Sequence, residues 1–187
     1  MGSLIKNVYL LRHSITDFNN QKKIFGTSDI PLNKQGIKLV HNIKHQFKNK
    51  NIQGVLTSDL KRAYQTGEII SEMLEVPLFT NKLLRERDQG IYEGLSLEHV
   101  NKLTSNFSFD TRIEDRETVR EFIDRTKLVF NSIAEEIKWE NLIIVTHNGV
   151  LKMFMSIFLK KNTRKWELCE ARKVQYNEVQ KEWLLYE

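Results

Sequence analysis

Reactive side chains follow three short apolar segments of this chain. Arg12 and His13 come directly after the first segment. Ser58 comes after the second, with Arg62 four residues further on, and His147 comes directly after the third. The second and third segments also precede apolar residues at helical spacing, and the first N–H groups of a helix favour an anion. If the segments are neighbouring parallel strands, these side chains meet at the sheet edge where open α/β folds bind ligands, and they would form a phosphate site.

The three apolar segments predict the strands of a parallel sheet. None of them alternates apolar with polar residues, as expected of strands that helices cover on both faces. Strands are predicted at 7–11, 54–57 and 141–146, with two closing strands at 170–176 and 182–186. Apolar residues at helical spacing predict helices at 37–47, behind an Asn33 N-cap, and at 60–74, 119–133 and 150–157. Strand alternating with helix indicates an α/β fold, here a three-layer α/β/α sandwich with a mostly parallel central sheet.

Length and periodicity predict the domain organisation. A chain of 187 residues is expected to form a single domain, 1–187. The least periodic stretch, 83–118, contains two glycines and several Ser, Thr and Asn residues. Long irregular stretches in compact domains are usually functional loops, so we expect a variable segment around 88–118 to cover and select the substrate.

Composition argues against several classes of protein. The 29 Lys and Arg residues exceed the 24 Asp and Glu residues, giving a net charge of +5, but they are scattered among acids. This distribution favours a small anion over nucleic acid. The single cysteine, Cys169, excludes an internal disulfide scaffold and a thiolate-rich zinc site, and it fits a cytoplasmic protein. No segment approaches the ~18 consecutive apolar residues of a membrane span, so no membrane partner is expected.

Several short motifs follow one another along the chain. They are Leu11-Arg12-His13-Ser14-Ile15-Thr16 followed by Asn19, Phe25-Gly26-Thr27, and the segments 29–36, 58–66, 84–94 and 145–150. In this order they resemble the motifs of the histidine phosphatase superfamily, over nearly the whole chain. The resemblance implies a phosphoglycerate mutase-like fold and the small phosphatase branch of that superfamily.

The resemblance also implies a mechanism. His13 would attack phosphorus and form a phosphohistidine, which requires an unprotonated ring nitrogen. Arg12 and Arg62 would hold the phosphoryl oxygens, and His147, protonated beside the phosphate, would donate a further hydrogen bond. Glu86 would protonate the leaving oxygen and then take a proton from the attacking water. The neighbouring Arg85 and Arg87 are expected to face away from Glu86, and Asp88 and Glu93 are the alternative acids.

The substrate-binding set implied by the resemblance is wider than the catalytic set. It comprises Arg12, Asn19, the backbone of Thr27, Arg62, His147 and Asn148. Three positions depart from the usual motifs: Ser14 replaces a Gly, Ile15 a frequent Glu, and Asn148 a common Gly. Ser and Asn are small enough to leave the pocket open, but Ser avoids some backbone conformations that Gly reaches. No metal or other cofactor is required, because arginines and helix ends neutralise the phosphate.

Other functions stay open on the sequence alone. A phosphoglycerate-type mutase would use the same His13 chemistry, and Arg112 and Arg116 leave room for it, although family mutases carry a longer covering insertion. A non-catalytic phospho-ligand binding module is a further alternative. A metal site made by His13, His147 and Glu86 is a minor one. The substrate, expected to be a small phosphorylated metabolite, is not specified, and the oligomeric state, which includes a homodimer, is open.

Overall fold

The computed structural model describes residues 5–104, 116–162 and 164–186, and a six-stranded sheet lies at its centre. Its strands are β1 (Ile5–Arg12), β2 (Gly54–Thr57), β3 (Leu78–Thr80), β4 (Asn141–Thr146), β5 (Ala171–Asn177) and β6 (Glu182–Leu185). Their order across the sheet is β3-β2-β4-β1-β5-β6. The first four of these in that order are parallel, and β5 and β6 run antiparallel to their neighbours. The mostly parallel sheet is therefore confirmed.

The helices of the structure are α1 (Asp17–Asn20), α2 (Lys34–Ile43), α3 (Lys61–Leu74), α4 (Leu97–Thr104), α5 (Val119–Glu136) and α6 (Asn148–Leu159). The four predicted helices correspond to α2, α3, α5 and α6. Asn33 caps α2 as expected, because its Oδ1 accepts from the Gly36 N–H at 2.9 Å.

The prediction of an irregular stretch at 83–118 was wrong in its described part. That part contains a 3-10 turn at Gly90–Tyr92 and the helix α4. Val100 of α4 is buried and packs in a small cluster with Tyr92. The helix has only eight residues, so the helical spacing repeats too few times to stand out in the sequence. The rest of the stretch, including Arg112, lies outside the described residues.

Two apolar layers cover the sheet. On one face, β1 and β4 residues such as Leu10 and Ile144 pack with α5 and α6, represented by Phe130 and Phe154. On the other face, neighbouring strand residues pack with α2 and α3, represented by Ile70. Since consecutive residues of a strand point to opposite faces, both faces must be apolar, which explains the unbroken apolar segments. The three-layer α/β/α arrangement is confirmed.

The strand register decides which residues become neighbours at the sheet edge. Arg12 of β1 lies opposite Thr146 of β4, so the next residues, His13 and His147, leave the sheet side by side. The His13 N–H continues the ladder and donates to the Thr146 oxygen at 2.9 Å. Ser58, which follows β2, donates its N–H to the Val145 oxygen at 3.0 Å. The carboxyl ends of three parallel strands therefore converge, as the sequence predicts.

Candidate active site

The structure brings the two predicted histidines together at the carboxyl ends of β1 and β4. The ring centroids of His13 and His147 are 5.2 Å apart. Only 2% of the His13 surface and none of the His147 surface is exposed. A cavity of about 220 Å³ opens onto His13, and its lining also includes Arg12, Glu86 and Asn148. This cavity has the size of a phosphate with a small substituent, and it is called the phosphate cavity below.

Local contacts fix the protonation of His13. Its Nδ1 lies 2.7 Å from the main-chain oxygen of Ser14. A carbonyl can only accept, so Nδ1 carries the proton and Nε2 keeps its lone pair. Burial, reinforced by the positive charges of Arg62 and Arg12, lowers the pKa of His13 well below its usual range. The imidazole is therefore neutral at physiological pH, with Nε2 available as a nucleophile.

His147 has a different environment. It occupies the N-cap position of α6, and in the described part of the chain neither ring nitrogen has a hydrogen-bond partner. Burial lowers its pKa well below the usual range, and the charges of Arg62 and neighbouring groups lower it further. The protein's own groups therefore favour neutral His147, whereas the sequence led us to expect a protonated ring beside phosphate. The negative charge of a bound phosphate would raise this pKa, so the protonated form stays a prediction.

The two arginines are buried and oriented by main-chain oxygens. Nη1 and Nη2 of Arg62 donate to the oxygens of Ser28, at 2.7 Å, and Gly26, at 2.6 Å. Its guanidinium also lies over the ring of Phe25, 4.5 Å from the centroid. Arg12 donates to the Trp166 oxygen at 2.5 Å. Burial lowers the pKa of Arg62 to about 10, which still leaves it charged at neutral pH. Both side chains thus place fixed positive charge near the histidines. The Phe25 ring on which Arg62 stacks lines the phosphate cavity.

Glu86 reaches the phosphate cavity from the segment after β3. Its Oε1 accepts from the Arg87 N–H at 2.9 Å, and its Oε2 accepts from the Gly149 N–H, in the first turn of α6, at 2.9 Å. A Cβ at Gly149 would lie 2.1 Å from Oε1, so this approach requires glycine. The flanking arginines are engaged elsewhere, as expected. Arg85 forms a two-pronged ion pair with Asp59, at 2.7 and 2.6 Å, and Nε of Arg87 donates to the Glu117 oxygen at 2.9 Å.

The remaining predicted binding residues also have structural roles. Oδ1 of Asn19 accepts from the Thr16 N–H at 3.0 Å, which caps α1. Oδ1 of Asn148 accepts from the Trp166 N–H at 3.0 Å, while the residue lines the phosphate cavity. For Thr27 the prediction needs correction. Its N–H already donates to Glu93 Oε1, at 2.7 Å, and is not available to a phosphate in this arrangement.

Glu93 is a residue whose role the sequence did not reveal. Its carboxylate accepts from the N–H groups of Thr27 and Ser28, each at 2.7 Å, and from the Ser28 hydroxyl. A Cβ at Gly26 would lie 2.2 Å from Glu93 Oε1, so this close approach also needs glycine. The carboxylate thereby holds the loop whose carbonyls orient Arg62. Glu86 lines the phosphate cavity and Glu93 is not among its lining residues, which makes Glu86 the better candidate for the acid.

The departures from the usual motif are accommodated by the backbone. Ser14 is absent from the described residues with positive φ, so it does not need the conformations reserved for glycine. Its hydroxyl donates to the Gly36 oxygen at 2.8 Å, and its N–H donates to the Thr66 hydroxyl at 3.1 Å. The main-chain oxygen of Ile15 accepts from the Asn33 N–H at 3.0 Å. These contacts tie the nucleophile loop to α2 and α3.

Two larger cavities adjoin the phosphate cavity. One, of about 590 Å³, shares Glu86 and Asn148 with it and extends along α5 and α6 past Phe122 and Met153. The other, of about 730 Å³, shares Arg12 and lies against α1 and α4. Within the described ranges no group of three His, Cys, Asp or Glu side chains is placed to hold a metal ion. No helix among the described residues is both long and apolar enough to cross a membrane.

Comparison with known proteins gives the same family as the motifs. The model of the histidine phosphatase superfamily (branch 1) matches residues 8–185. A relative from Proteus mirabilis, named "Probable phosphoglycerate mutase GpmB", is 30% identical over 81% of this chain and 74% of its own length. A relative from Bacillus subtilis, named "Uncharacterized phosphatase PhoE", is 32% identical over 80% of this chain and 75% of its own length.

Solved structures show the same fold at lower identity. The alpha-ribazole phosphatase from Shigella flexneri superimposes with a TM-score of 0.85 and 20% identity, over 96% of this chain and 94% of that one. The mycobacterial glucosyl-3-phosphoglycerate phosphatase superimposes with a TM-score of 0.81 and 19% identity, over 97% of both chains. The phosphoglycerate mutase-like fold is thereby confirmed.

Proposed function

The chain belongs to the histidine phosphatase superfamily and is an enzyme of the phosphatase class, and we propose that it hydrolyses a small phosphorylated metabolite through a phosphohistidine on His13, without a metal. The observation that carries this proposal is the pairing of a neutral His13 with Glu86 across one cavity. Nδ1 of His13 is fixed by the Ser14 oxygen, which leaves Nε2 free, while the Glu86 carboxyl reaches the same cavity from the α6 end.

In the first half-reaction the lone pair of His13 Nε2 forms a bond to phosphorus. The bond between phosphorus and the leaving oxygen breaks, and that oxygen takes a proton from the Glu86 carboxyl, which must be protonated in the reactive complex. In the second half-reaction water attacks phosphorus and gives its proton to Glu86. The N–P bond then breaks, its electron pair returns to Nε2, and phosphate leaves.

Fixed positive charge replaces a metal in this scheme. In the transition state the phosphoryl group spreads its negative charge over its equatorial oxygens. Arg12 lines the cavity, and Arg62 is close enough to lower the pKa of both histidines. His147 lies at the N terminus of α6, where the helix dipole adds partial positive charge. His147 gains a proton in the complex and donates to the phosphate, while Asn19 and Asn148 contribute through their amide groups.

The cavities support a substrate with an organic part. Glu86 borders both the phosphate cavity and the 590 Å³ cavity along α5 and α6, so a leaving group protonated by Glu86 has room there. The names of the relatives mention phosphoglycerate, alpha-ribazole phosphate and glucosyl-3-phosphoglycerate enzymes. We further propose one domain over 1–187, acting in the cytoplasm without nucleic acid or membrane, with substrate selection by the segment 88–118.

Trapping of the intermediate tests this function. After rapid quenching of a reaction with a labelled phosphoester, we expect label on His13 that is labile in acid and stable in alkali. His13→Ala should abolish it, whereas His41→Ala, a change at an exposed histidine of α2, should leave it intact. Label that persists in His13→Ala would refute the covalent mechanism. Steady turnover of a panel of phosphometabolites, scored by phosphate release, would identify the substrate.

The name of the Proteus mirabilis relative makes the mutase the second candidate. A mutase must keep water from the phosphohistidine and return the group to an alcohol. Of the two arginines that favoured this activity, Arg116 lies 5.8 Å from the centroid of the Tyr92 ring. Adding unlabelled phosphoglycerate to the labelled phosphoenzyme decides the question. Release of free phosphate supports the phosphatase, and transfer of most of the label to a hydroxyl of phosphoglycerate supports the mutase.

Glu86→Gln tests the acid. Glutamine keeps the shape of the side chain but cannot act as an acid at neutral pH, so kcat/KM, which reports formation of the phosphohistidine, should fall ~10²–10⁴-fold on an alkyl phosphate. The loss of kcat/KM should be much smaller on nitrophenyl phosphate, because nitrophenolate leaves with little protonation. Phosphoenzyme formation from nitrophenyl phosphate should survive while its hydrolysis slows. Equal losses on both esters would show that Glu86 only positions the site.

A further inference from the structure

The segment that carries Glu86 is held by one arginine of α5. Nη1 of Arg125 donates to the main-chain oxygens of Leu83, at 2.6 Å, and Arg85, at 2.9 Å. Nη2 donates to the oxygen of Glu86 at 3.4 Å. The same guanidinium forms a two-pronged ion pair with Glu117, with both N···O distances at 2.8 Å. A single side chain thus binds the main-chain oxygens of two residues that precede Glu86 and of Glu86 itself.

Glu117 extends the connection along the same segment. Its Oε2 accepts from the Asp88 N–H at 3.3 Å, and its main-chain oxygen accepts from Nε of Arg87 at 2.9 Å. From the sheet side, the hydroxyl of Thr146 donates to the Leu84 oxygen at 2.7 Å. Residues 83–88 are outside any strand, so these contacts satisfy backbone groups that a sheet ladder would otherwise pair.

Partial burial makes this ion pair stronger than a surface pair. The side chains of Arg125 and Glu117 are only 17% and 15% exposed. Charged, two-pronged hydrogen bonds are shorter and more directional than neutral ones, and solvent screens them less when they are partly buried. Lysine could replace the charge of Arg125 but not its fork, which serves several acceptors at once.

We propose that Arg125, oriented by Glu117, is a positioning residue that holds the Glu86 carboxyl at the phosphate cavity. It acts through the backbone of residues 83–86 and does not touch the substrate. The inference rests on the acid role proposed for Glu86. A displacement of about 1 Å at a catalytic group can cost ~10²-fold in rate, so loss of the fork should reduce turnover without removing any reacting group.

A double-mutant cycle separates this role from a general structural one. Arg125→Met should lower kcat/KM on an alkyl phosphate ~10–100-fold and have a much smaller effect on kcat/KM for nitrophenyl phosphate. Because Arg125 acts through Glu86, it should add little to the loss in Glu86→Gln. Arg120→Met, the same change at an exposed position of α5, is the matched control and should leave kcat unchanged. An equal fractional loss in both backgrounds would overturn the proposal.

A readout independent of activity keeps the proposal decidable. The N–H groups of Arg87 and Gly149 both donate to the Glu86 carboxylate. In Arg125→Lys, a milder change, their amide resonances should shift and exchange faster with solvent, while Arg120→Lys should leave them unchanged. Unchanged amides in Arg125→Lys would overturn the proposal. If the wild-type protein turns over no phosphoester, the proposed function fails, and the amide measurement still shows whether Arg125 holds Glu86.

Discussion

Replacing Gly149 with alanine should displace the carboxyl of Glu86, the proposed general acid, and should leave the rest of the fold almost unchanged. Gly149 lies in the first turn of α6 and has no positive φ, so its backbone accepts alanine. The new Cβ would lie 2.1 Å from Oε1 of Glu86 and 3.0 Å from its Cδ. To restore a separation of 3.0 Å, the carboxyl oxygen must retreat by about 0.9 Å. It would also lose the geometry of its hydrogen bond from the Gly149 N–H.

The size of the effect follows from this displacement. A misplacement of about 1 Å costs ~10²-fold, so kcat/KM on an alkyl phosphate should fall by about that factor, equivalent to about 2.7 kcal/mol in the barrier to phosphohistidine formation. Stability should change little, because alanine in a helix gains about 0.5–1 kcal/mol over glycine, which offsets part of the lost contact with a half-exposed carboxylate. At ~2–4 °C per kcal/mol, we expect Tm to change by less than about 4 °C.

Paired rate measurements check this reasoning. Rates of Gly149→Ala on an alkyl phosphate and on nitrophenyl phosphate should differ as they do for Glu86→Gln, with thermal melts recorded in parallel. In a Glu86→Ala background the clashing carboxyl is gone, so Gly149→Ala should have almost no further effect on kcat. A further tenfold loss in that background, or equal losses on both esters, would refute the idea that Gly149 acts by admitting Glu86.

Three further outcomes follow from the site. The pKa values of His13 and His147 are lowered in the folded protein, so below pH ~6.5 the unfolded chain binds more protons than the folded one. The free energy of unfolding should therefore fall as the pH drops, by up to ~1.4 kcal/mol per pH unit for each histidine. Thermal melts between pH 7.5 and 5.5 should show a smaller slope for His147→Gln, and equal slopes would contradict this. EDTA should leave turnover unchanged, since Arg12 and Arg62 supply the positive charge; a loss reversed by a divalent cation would show a metal role. Glu93→Gln places an amide among N–H donors and should loosen the loop that orients Arg62. It should therefore raise KM more than it lowers kcat, and an unchanged KM would argue against a link between Glu93 and Arg62.

Local patterns were sufficient for most of the architecture. The apolar segments and the helical periodicities depend on neighbours in the sequence, and they predicted five strands and four helices near their observed bounds. Short elements were missed. The strand β3 (Leu78–Thr80) has three residues and exists because it pairs with β2 at the sheet edge. The helix α4 buries Val100 against Tyr92, and no local sequence pattern predicts this contact.

The sequence also predicted which side chains meet at one edge of the sheet. His13 and His147 follow strands that proved to be adjacent, and the register of β1 with β4 makes them neighbours. This inference succeeds because all parallel strands place their carboxyl ends at the same edge, whatever packs around them. The motifs that resemble the superfamily then supplied the role proposed for Glu86, which lies on no strand and has no signal of its own.

Only the tertiary structure decided how each group is held and charged. The carbonyls that orient Arg62 come from a loop 34 to 36 residues away, and Arg125 is 39 residues from the Glu86 oxygen it approaches. The neutral state of His147 depends on complete burial beside other positive groups, and the loss of the Thr27 N–H to Glu93 depends on a contact across 66 residues. Desolvation and hydrogen bonding are properties of the packed surroundings, so residue types along the chain could name the groups but not their partners or their charge.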